Sequence, residues 1–390
     1  MKEKKISKIA IIGDVHVGNH KKLGGEKVCG INRRCENIFT ALGSAVLRAR
    51  LEDVDLLVIL GDLFHTPNPS PQMLKRVQDI IELVPTAVIA GNHDMSSDAE
   101  GDNALGPLSL VAEIIDKPDI ISLVGVDLLM VPFQSGKCSE WLPRETKKLL
   151  KESKNKNKIL CFHSGIKDEK TPYFLADSDA SIDHEDLFDL CKEGNINAAF
   201  AGHWHSYKAW EYYDCDDSHS YDVIQAGAFT PTGWDNPGFE YGNLFVYDGS
   251  KSAKNKIEFH KCGGPRFITS TLDEEIKTIT GYEKSENTGL YLYLRLCIDE
   301  QNIELGKSII KAGIDSEVIE NGELVISKEY TEQATKLAAE ATQASKTLEE
   351  ALDNFTSKMP LRGIGKPEDS AVRTSIKEKS KYYMELANVS

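Results

Sequence analysis

Short apolar runs punctuate the chain: Ile9 to Ile12, Leu56 to Leu60, Ala87 to Ala90, Lys158 to Phe162 and Ala198 to Ala201, each bounded by Gly, Pro, Asn or Asp. Runs of this length between turn formers predict buried strands. Between them, Arg33 to Arg50 and Pro71 to Leu83 repeat their apolar residues at helical spacing, and Pro71 suits the first turn of a helix. Strand, helix, strand, helix, strand describes an α/β layer. After residue 205 the pattern turns strand-rich, with Val223 to Phe229, Asn243 to Tyr247 and Lys256 to His260 separated by the acidic insert "EYYDCDDSHSYD" and by turns such as "DNPG" and "YDGS". A second sheet facing the first is the natural reading.

"CGGPRF" at 262–267 marks a boundary. Strand-like 266–272 and 289–298, helix-like 302–312 and strand-like 322–326 then predict a small α+β module. From 329 to 356 strand character is lost, and Leu337, Ala341, Ala344, Leu348, Ala351 and Phe355 fall on one helical face. "KMPLRGIGKPED" reads as a linker and the last twenty residues as a short helix. The expected division is 1–262, 263–328 and 329–390.

Composition narrows the class. A chain of 390 residues with 41% hydrophobic content has length for a large core, and no apolar run approaches the roughly 18 to 20 residues that span a bilayer. No membrane association is expected. The eight cysteines are scattered without a C-x-x-C pair, which suits free thiols in a reducing cytoplasm. A net charge of −15 argues against coating nucleic acid by charge alone. Residues 1–35, however, carry nine Lys and Arg against three Asp and Glu, a local patch where a polyanion could be met.

Metal-competent side chains fall at the ends of the apolar runs. Asp14 and His16 follow the first ("IIGDVH"), Asp62 the second ("ILGDLFH"), Asn92, His93 and Asp94 the third ("VIAGNHD"), His163 the fourth ("LCFHSG"), and His203 and His205 the fifth ("FAGHWH"). The carboxyl edge of an α/β sheet is where ligands bind, so residues spread from position 14 to position 205 would converge there. Taken singly, a strand-end Asp is more often a hydrogen-bonded cap. Five such ends in order point to a metal centre. His20, His184, His219 and His260 sit in polar surroundings and read as solvated or structural. "LGKS" at 305–308 is no P-loop, because Gln301 stands where the leading glycine is needed.

The order "GDVH", "GD", "GNHD", "H", "GHWH" resembles the calcineurin-like metallophosphoesterase superfamily over residues 9–230. The resemblance implies a two-sheet sandwich flanked by helices and a pair of divalent metal ions. It makes Asp62 the bridging carboxylate, completes one site with Asp14, His16 and His205, and completes the other with Asn92, His163 and His203. His93 is left without a metal, as transition-state stabiliser or proton donor, with Asp94 holding its ring nitrogen. Imidazoles mixed with carboxylate and amide oxygens suit Mn²⁺, Fe or Zn²⁺ better than an all-oxygen cage does, and Mn²⁺ is the expected ion.

"GDLFHTPNPSP" further resembles the second motif of the DNA double-strand-break repair nucleases of the SbcD type, whose extra histidine, here His65, faces the cleft and places the DNA backbone. The bland alternative is that His65 caps the helix opened by Pro71. The resemblance implies a DNA nuclease subunit, dimeric within its complex, that works with an SbcC-type coiled-coil ABC ATPase. In that picture the module at 263–328 caps the DNA, the tail from 329 docks the ATPase, and the basic loop 19–34 meets phosphates. The size is compatible with a phage or viral form. A small-molecule or nucleotide phosphoesterase is the competing enzyme reading, and an architectural regulator of an ABC-type ATPase the non-enzymatic one.

Overall fold

Ile9 and Ile11 of the first strand face one apolar core while Ala10 and Ile12 face another, because successive side chains in a strand point to opposite sides. Both faces of this sheet are covered, which is why its strands read as unbroken apolar runs. The structure, a computed structural model, describes residues 6–97, 101–172, 175, 178–213, 220–234, 243–251, 256–261, 265–271, 292–298, 302–316 and 319–326. The middle of the acidic insert, the 329–356 stripe, the linker after it and the last twenty residues lie outside the described residues.

In chain order come β1 (Lys8–Ile12), a hairpin of β2 (Lys27–Val28) and β3 (Ile31–Asn32), α1 (Arg33–Leu51), β4 (Leu56–Ile59), α2 (Pro71–Ile81), β5 (Thr86–Ile89) and β6 (Glu113–Ile115). Next are β7 (Asp119–Leu123), β8 (Val126–Val131), α3 (Cys138–Glu152), β9 (Asn157–His163), β10 (Gly165–Lys167), β11 (Ser181–Asp183), α4 (His184–Gly194), β12 (Ala198–Gly202), β13 (Lys208–Tyr213) and β14 (Ser220–Gln225). The chain continues through β15 (Asn243–Asp248), β16 (Ile257–Lys261), β17 (Arg266–Thr271), β18 (Leu292–Ile298), α5 (Ile303–Asp315) and β19 (Asn321–Ile326).

Two six-stranded sheets stack face to face, in the orders β16-β15-β1-β4-β5-β6 and β13-β14-β12-β9-β8-β7. Their central strands are parallel, β1 to β6 in one sheet and β14 to β8 in the other. Ile11, Val58 and Ile89 of the first sheet meet Met130, Ile159 and Phe200 of the second in the inner core. α1 and α2 cover the outer face of the first sheet through Leu42, Val46, Val77 and Ile81. Trp141, Leu142, Leu187 and Leu190 of α3 and α4 cover the second. The Asn32 side chain caps α1 by accepting from Cys35 N at 2.9 Å. Ser70 caps α2 in the same way, ahead of Pro71.

The two-sheet sandwich stands as expected, but of the strands after residue 205 only β13 and β14 join its second sheet. That sheet begins at β7, and β15 and β16 return to the first sheet, where β15 pairs antiparallel with β1.

Strands β17, β18 and β19 form a separate three-stranded parallel sheet with α5 as the crossover between the last two. Leu294, Leu296 and Ile298 pack with Ile310 and Ile319 to give it a core of its own. Another part of it rests on α1: the stacked rings of Phe267 and Tyr293, 4.8 Å apart, lie there, and the Tyr293 hydroxyl accepts from Asn37 Nδ2 at 3.0 Å. "LGKS" lies inside the α5 helix, which rules out a phosphate-cradling loop. Among the described residues no helix is long and apolar enough to cross a membrane, and six described cysteines are free thiols.

Candidate metal centre

The end of β1 enters the site through backbone contacts that glycine alone permits. A Cβ on Gly13 would fall 1.9 Å from the Gly227 carbonyl oxygen. This lets Asp14 bridge to Ala228. The Asp62 carbonyl accepts from the N–H groups of both Val15 and His16, at 3.1 and 2.9 Å, locking the loop after β1 to the loop after β4. His16, Asp62 and His203 take φ values of 53°, 46° and 89°. Non-glycine residues pay about 1–3 kcal/mol each for such backbone, so the surrounding bonds must hold them.

All seven expected donors converge. His16 Nε2 and His205 Nε2 lie 2.9 Å apart. The Asp14 carboxylate lies 3.8 Å from His205 Nε2 and also accepts from the His203 N–H at 2.9 and 3.0 Å. Asn92 Oδ1 sits 3.1 Å from His163 Nε2 and 2.9 Å from His203 Nδ1. Asp62 Oδ2 lies between the two groups, 3.7 Å from His16 Nε2 and 3.5 Å from His163 Nε2. Its other oxygen accepts from the His93 N–H at 2.8 Å. Asp14, His16 and His205 form one set, and Asp62, His163 and His203 another, with ligand atoms in each set within 4.8 Å of one another.

The donor set fits a pair of metal ions. Burial lowers His16 well below the ordinary imidazole range and brings His203 to about 3 and His205 to about 4. Each is therefore neutral near pH 7, the form that ligates. Burial would also lower His163, but Asp62, Asp14 and the Leu60 carbonyl raise it to about 9. Its Nδ1–H donates to that carbonyl at 2.7 Å, which leaves Nε2 facing Asn92 and Asp62. Burial raises Asp14 to about 8, while His163 and His16 outweigh burial at Asp62 and hold it below the carboxylate range. Carboxylates and imidazoles gathered out of water in this way are held together most simply by cations.

His93 and His65 stand beside these sets. Their rings stack 5.8 Å apart, each edge-on to His16 at 4.9 and 5.6 Å. With His16 they make a third candidate group, though His16 already belongs to the first. The cap at α2 is Ser70, so His65 is not the helix cap.

Three expectations change. Asp94 does not touch the His93 ring: its buried carboxylate accepts from the N–H groups of Leu63, Phe64 and Gly91 and ties two loops together. His93 Nδ1 instead donates to the His65 carbonyl at 3.0 Å. The basic loop is partly engaged, since Lys22 pairs with Glu323 at 3.1 Å, Arg33 pairs with Glu320 at 2.9 Å, and Arg34 is buried. His20 is not solvated. It is 8% exposed, its ring lies 4.4 Å from His65, and its Nε2–H donates to the His16 carbonyl at 3.1 Å.

Sequence reasoning missed His20 and also Phe133, whose ring lies 6.1 and 6.3 Å from those of His203 and His163. The only signal for Phe133 is its place just past an apolar run, "LLMVPF". A separate cluster of Glu52, Glu258 and His260 is threaded by Lys8, Arg48 and Lys251 and is neutralised by them.

A two-sheet α/β sandwich with histidines and carboxylates at its strand ends is the architecture of metal-dependent phosphoester hydrolases. The chain belongs to the calcineurin-like phosphoesterase family, whose model matches residues 7–207, slightly more than half of its length. Enzymes of this family use divalent metal ions to cleave phosphoesters.

A Fibrobacter succinogenes protein named as a probable cyclic nucleotide phosphodiesterase is 28% identical over 222 residues, covering 52% of this chain and 75% of that protein. The DNA double-strand break repair protein Mre11 of Archaeoglobus fulgidus is 32% identical over 97 residues, 23% of this chain and 20% of the relative. Among solved structures, a purple acid phosphatase from yellow lupin seeds matches with 14% identity and a TM-score of 0.42, covering 66% of this chain and 52% of that one. TT1561 of Thermus thermophilus matches with 13% identity and a TM-score of 0.40, covering 66% and 99%.

Proposed function

We propose that this chain is a Mn²⁺-dependent DNA phosphodiesterase, the nuclease subunit of an SbcCD-like end-processing complex. The observation that carries the reading is His65. It is the histidine of "GDLFH", it lies 5.6 Å from His16 and it stacks on His93, beside the two complete donor sets. An additional imidazole there has a use where a long backbone must be turned toward the metals. The partial similarity to Mre11 supports the same branch.

In this reading Asp14, His16 and His205 would hold one ion and Asn92, His163 and His203 the other, with the Asp62 carboxylate shared between the two sets. The ions would polarise the phosphoryl oxygens and make a nucleophile available at neutral pH. His93 acts as the acid: its Nδ1–H is held by the His65 carbonyl, so the proton passed to the leaving oxygen sits on Nε2. Asp94 holds the loops that present His93 and Asp62. The segment 263–328 serves as a capping domain and 329–390 as the docking segment for an SbcC-type ABC ATPase in a dimeric complex. A partner supplies part of the DNA affinity, because the chain carries a net charge of −15 and two basic-loop residues are engaged in ion pairs.

The longer match to the Fibrobacter protein favours a second reading, a cyclic nucleotide phosphodiesterase. One experiment separates them. The purified protein with Mn²⁺ is given end-labelled single- and double-stranded DNA, a cyclic nucleotide and a bis-aryl phosphodiester. Cleavage of DNA and the bis-aryl diester with the cyclic nucleotide left intact is expected. Turnover of the cyclic nucleotide with DNA untouched would overturn the nuclease reading.

A further inference from the structure

Arg34 opens α1 and is only 3% exposed. Its guanidinium donates to the Lys22 carbonyl at 2.9 Å and to the Thr232 carbonyl at 2.7 Å, and lies 5.0 Å from the centre of the Phe267 ring of β17. Thr232 turns its hydroxyl to His205 Nδ1, 3.3 Å away. The segment that carries Thr232 is bound to the site at two earlier points, where Phe229 N donates to the Asp14 carbonyl at 2.7 Å and Ala228 N to the His205 carbonyl at 3.1 Å. Beyond Thr232 it reaches the three-stranded module, where Trp234 meets Phe267 edge-on at 4.9 Å and Arg295 lies 4.7 Å from the Trp234 ring. One strap thus runs from a donor histidine to the module.

The geometry points to a positioning relay, Phe267 to Arg34 to Thr232 to His205, through which docking of the three-stranded module sets the orientation and tautomer of the His205 ring. The chemistry of the ring makes the relay consequential. His205 presents Nε2 to His16 and Asp14. An imidazole that ligates through Nε2 must carry its proton on Nδ1, and the partner of that N–H fixes both tautomer and ring plane. Thr232 Oγ1 is placed to accept it. A hydroxyl on a loop holds such a position only if its backbone is fixed, and the bond from Arg34 to the Thr232 carbonyl fixes it. Arg34 in turn is kept in place by the Phe267 face, a contact that strengthens away from water. The module therefore contributes to the site without placing a residue in it.

The inference rests on His205 being a metal ligand, so the test has arms that read the ring without metal. In metal-free protein labelled with ¹⁵N-histidine, long-range proton–nitrogen spectra should give His205 as the Nδ1–H tautomer. Thr232→Val and Arg34→Gln should convert it to a tautomer mixture, and Phe267→Leu should do so from a site the histidine does not touch. Phe267→Tyr, which keeps the ring over Arg34, should retain the wild-type signal.

Calorimetric titration of the same proteins with Mn²⁺ should show one of two sites weakened by about 10-fold, the scale of losing a ligand's orienting partner, with the other unchanged. Unchanged tautomer and affinities in Phe267→Leu, with both altered in Thr232→Val, would overturn the link to the module. No change in Thr232→Val would overturn the relay altogether. His205→Ala that still binds two Mn²⁺ ions at wild-type affinity would instead remove the ligand reading, a failure distinct from either.

Discussion

His93 and His20 both lie against the His65 ring, at 5.8 and 4.4 Å, and should fail differently when removed. His93 belongs to neither complete donor set, and its ring is held by a carbonyl. His93→Ala is therefore expected to keep both ions by metal analysis while turnover falls by roughly 10² or more, the usual scale for a positioned acid. His20 supports its neighbours: it bonds the carbonyl of His16, which sits at a φ of 53°, and backs the ring of His65. His20→Phe preserves the ring and deletes the N–H, a loss of about 0.5–1.5 kcal/mol. A drop in melting temperature of a few degrees and a severalfold fall in DNA cleavage are expected, measured by thermal unfolding and by cutting of end-labelled duplex. The difference between the two histidines was not legible in the sequence. His93 is announced by "GNHD" at the end of an apolar run, whereas His20 lies among Asn19, Lys21 and Lys22, and its packing against His65 and its tie to Asn32 come from contacts across the fold that this polar surrounding does not show. Asp94 was legible as a site residue but not in its contacts, since its partners are backbone N–H groups that no side-chain pattern reveals.

Elements with clear punctuation were readable. α1 and α2 have side-chain caps at Asn32 and Ser70, and the strands that deliver the donors are short apolar runs ended by glycine or a polar residue. α3 has neither signal: Lys137, at its N-cap position, offers no side-chain cap, and the helix carries Pro143 in its interior, which reads as a breaker. β7 is an edge strand in which Ile121 alone is buried, so its pattern is weak. What holds this unread region together is Asp127 of β8. Its carboxylate accepts from Ser122 Oγ, Ser153 Oγ, Asn155 Nδ2 and the N–H groups of Lys154 and Asn155, all within 2.9 Å. Burial opposes its charge, but these donors outweigh burial and hold the carboxyl well below the ordinary range. A depressed carboxyl stabilises the fold above its unfolded value of about 3.9 and loses that contribution as pH falls through its lower folded value. Asp127→Asn should lose about 1.5–3 kcal/mol at pH 7, and the gap from wild type should narrow below about pH 4. Denaturant unfolding of both proteins at pH 7 and pH 3 measures it.

At the scale of the molecule, the tail from 329 was read from its helical stripe and lies outside the described residues. Truncation before Thr331 tests it as a docking segment. The remaining chain should stay folded and keep Mn²⁺-dependent hydrolysis of a bis-aryl diester but lose ATP-stimulated cutting of duplex DNA with the partner present. Aggregation, or a large fall in melting temperature, would place the stripe in the chain's own core. The two-sheet sandwich was legible because both sheets are covered; the return of β15 and β16 to the first sheet was not, because antiparallel neighbours far apart in sequence leave no local mark. The stacking of the sheets has one more consequence. The layer built from β1, β4 and β5 supplies every oxygen donor, Asp14, Asp62 and Asn92, together with His16, whereas the layer built from β9 and β12 supplies imidazoles alone, His163, His203 and His205. Three of the four imidazoles hang from one wall and every oxygen donor from the other, and ions held between them would act as a gauge of wall spacing, since bond lengths must hold within about 0.2 Å. Two methyl groups added in the inner core, as in Ala198→Val, would push the walls apart. Its first symptom should be a changed order of preference among Mn²⁺, Zn²⁺ and Fe²⁺, seen by competitive metal binding before any loss of the folded state.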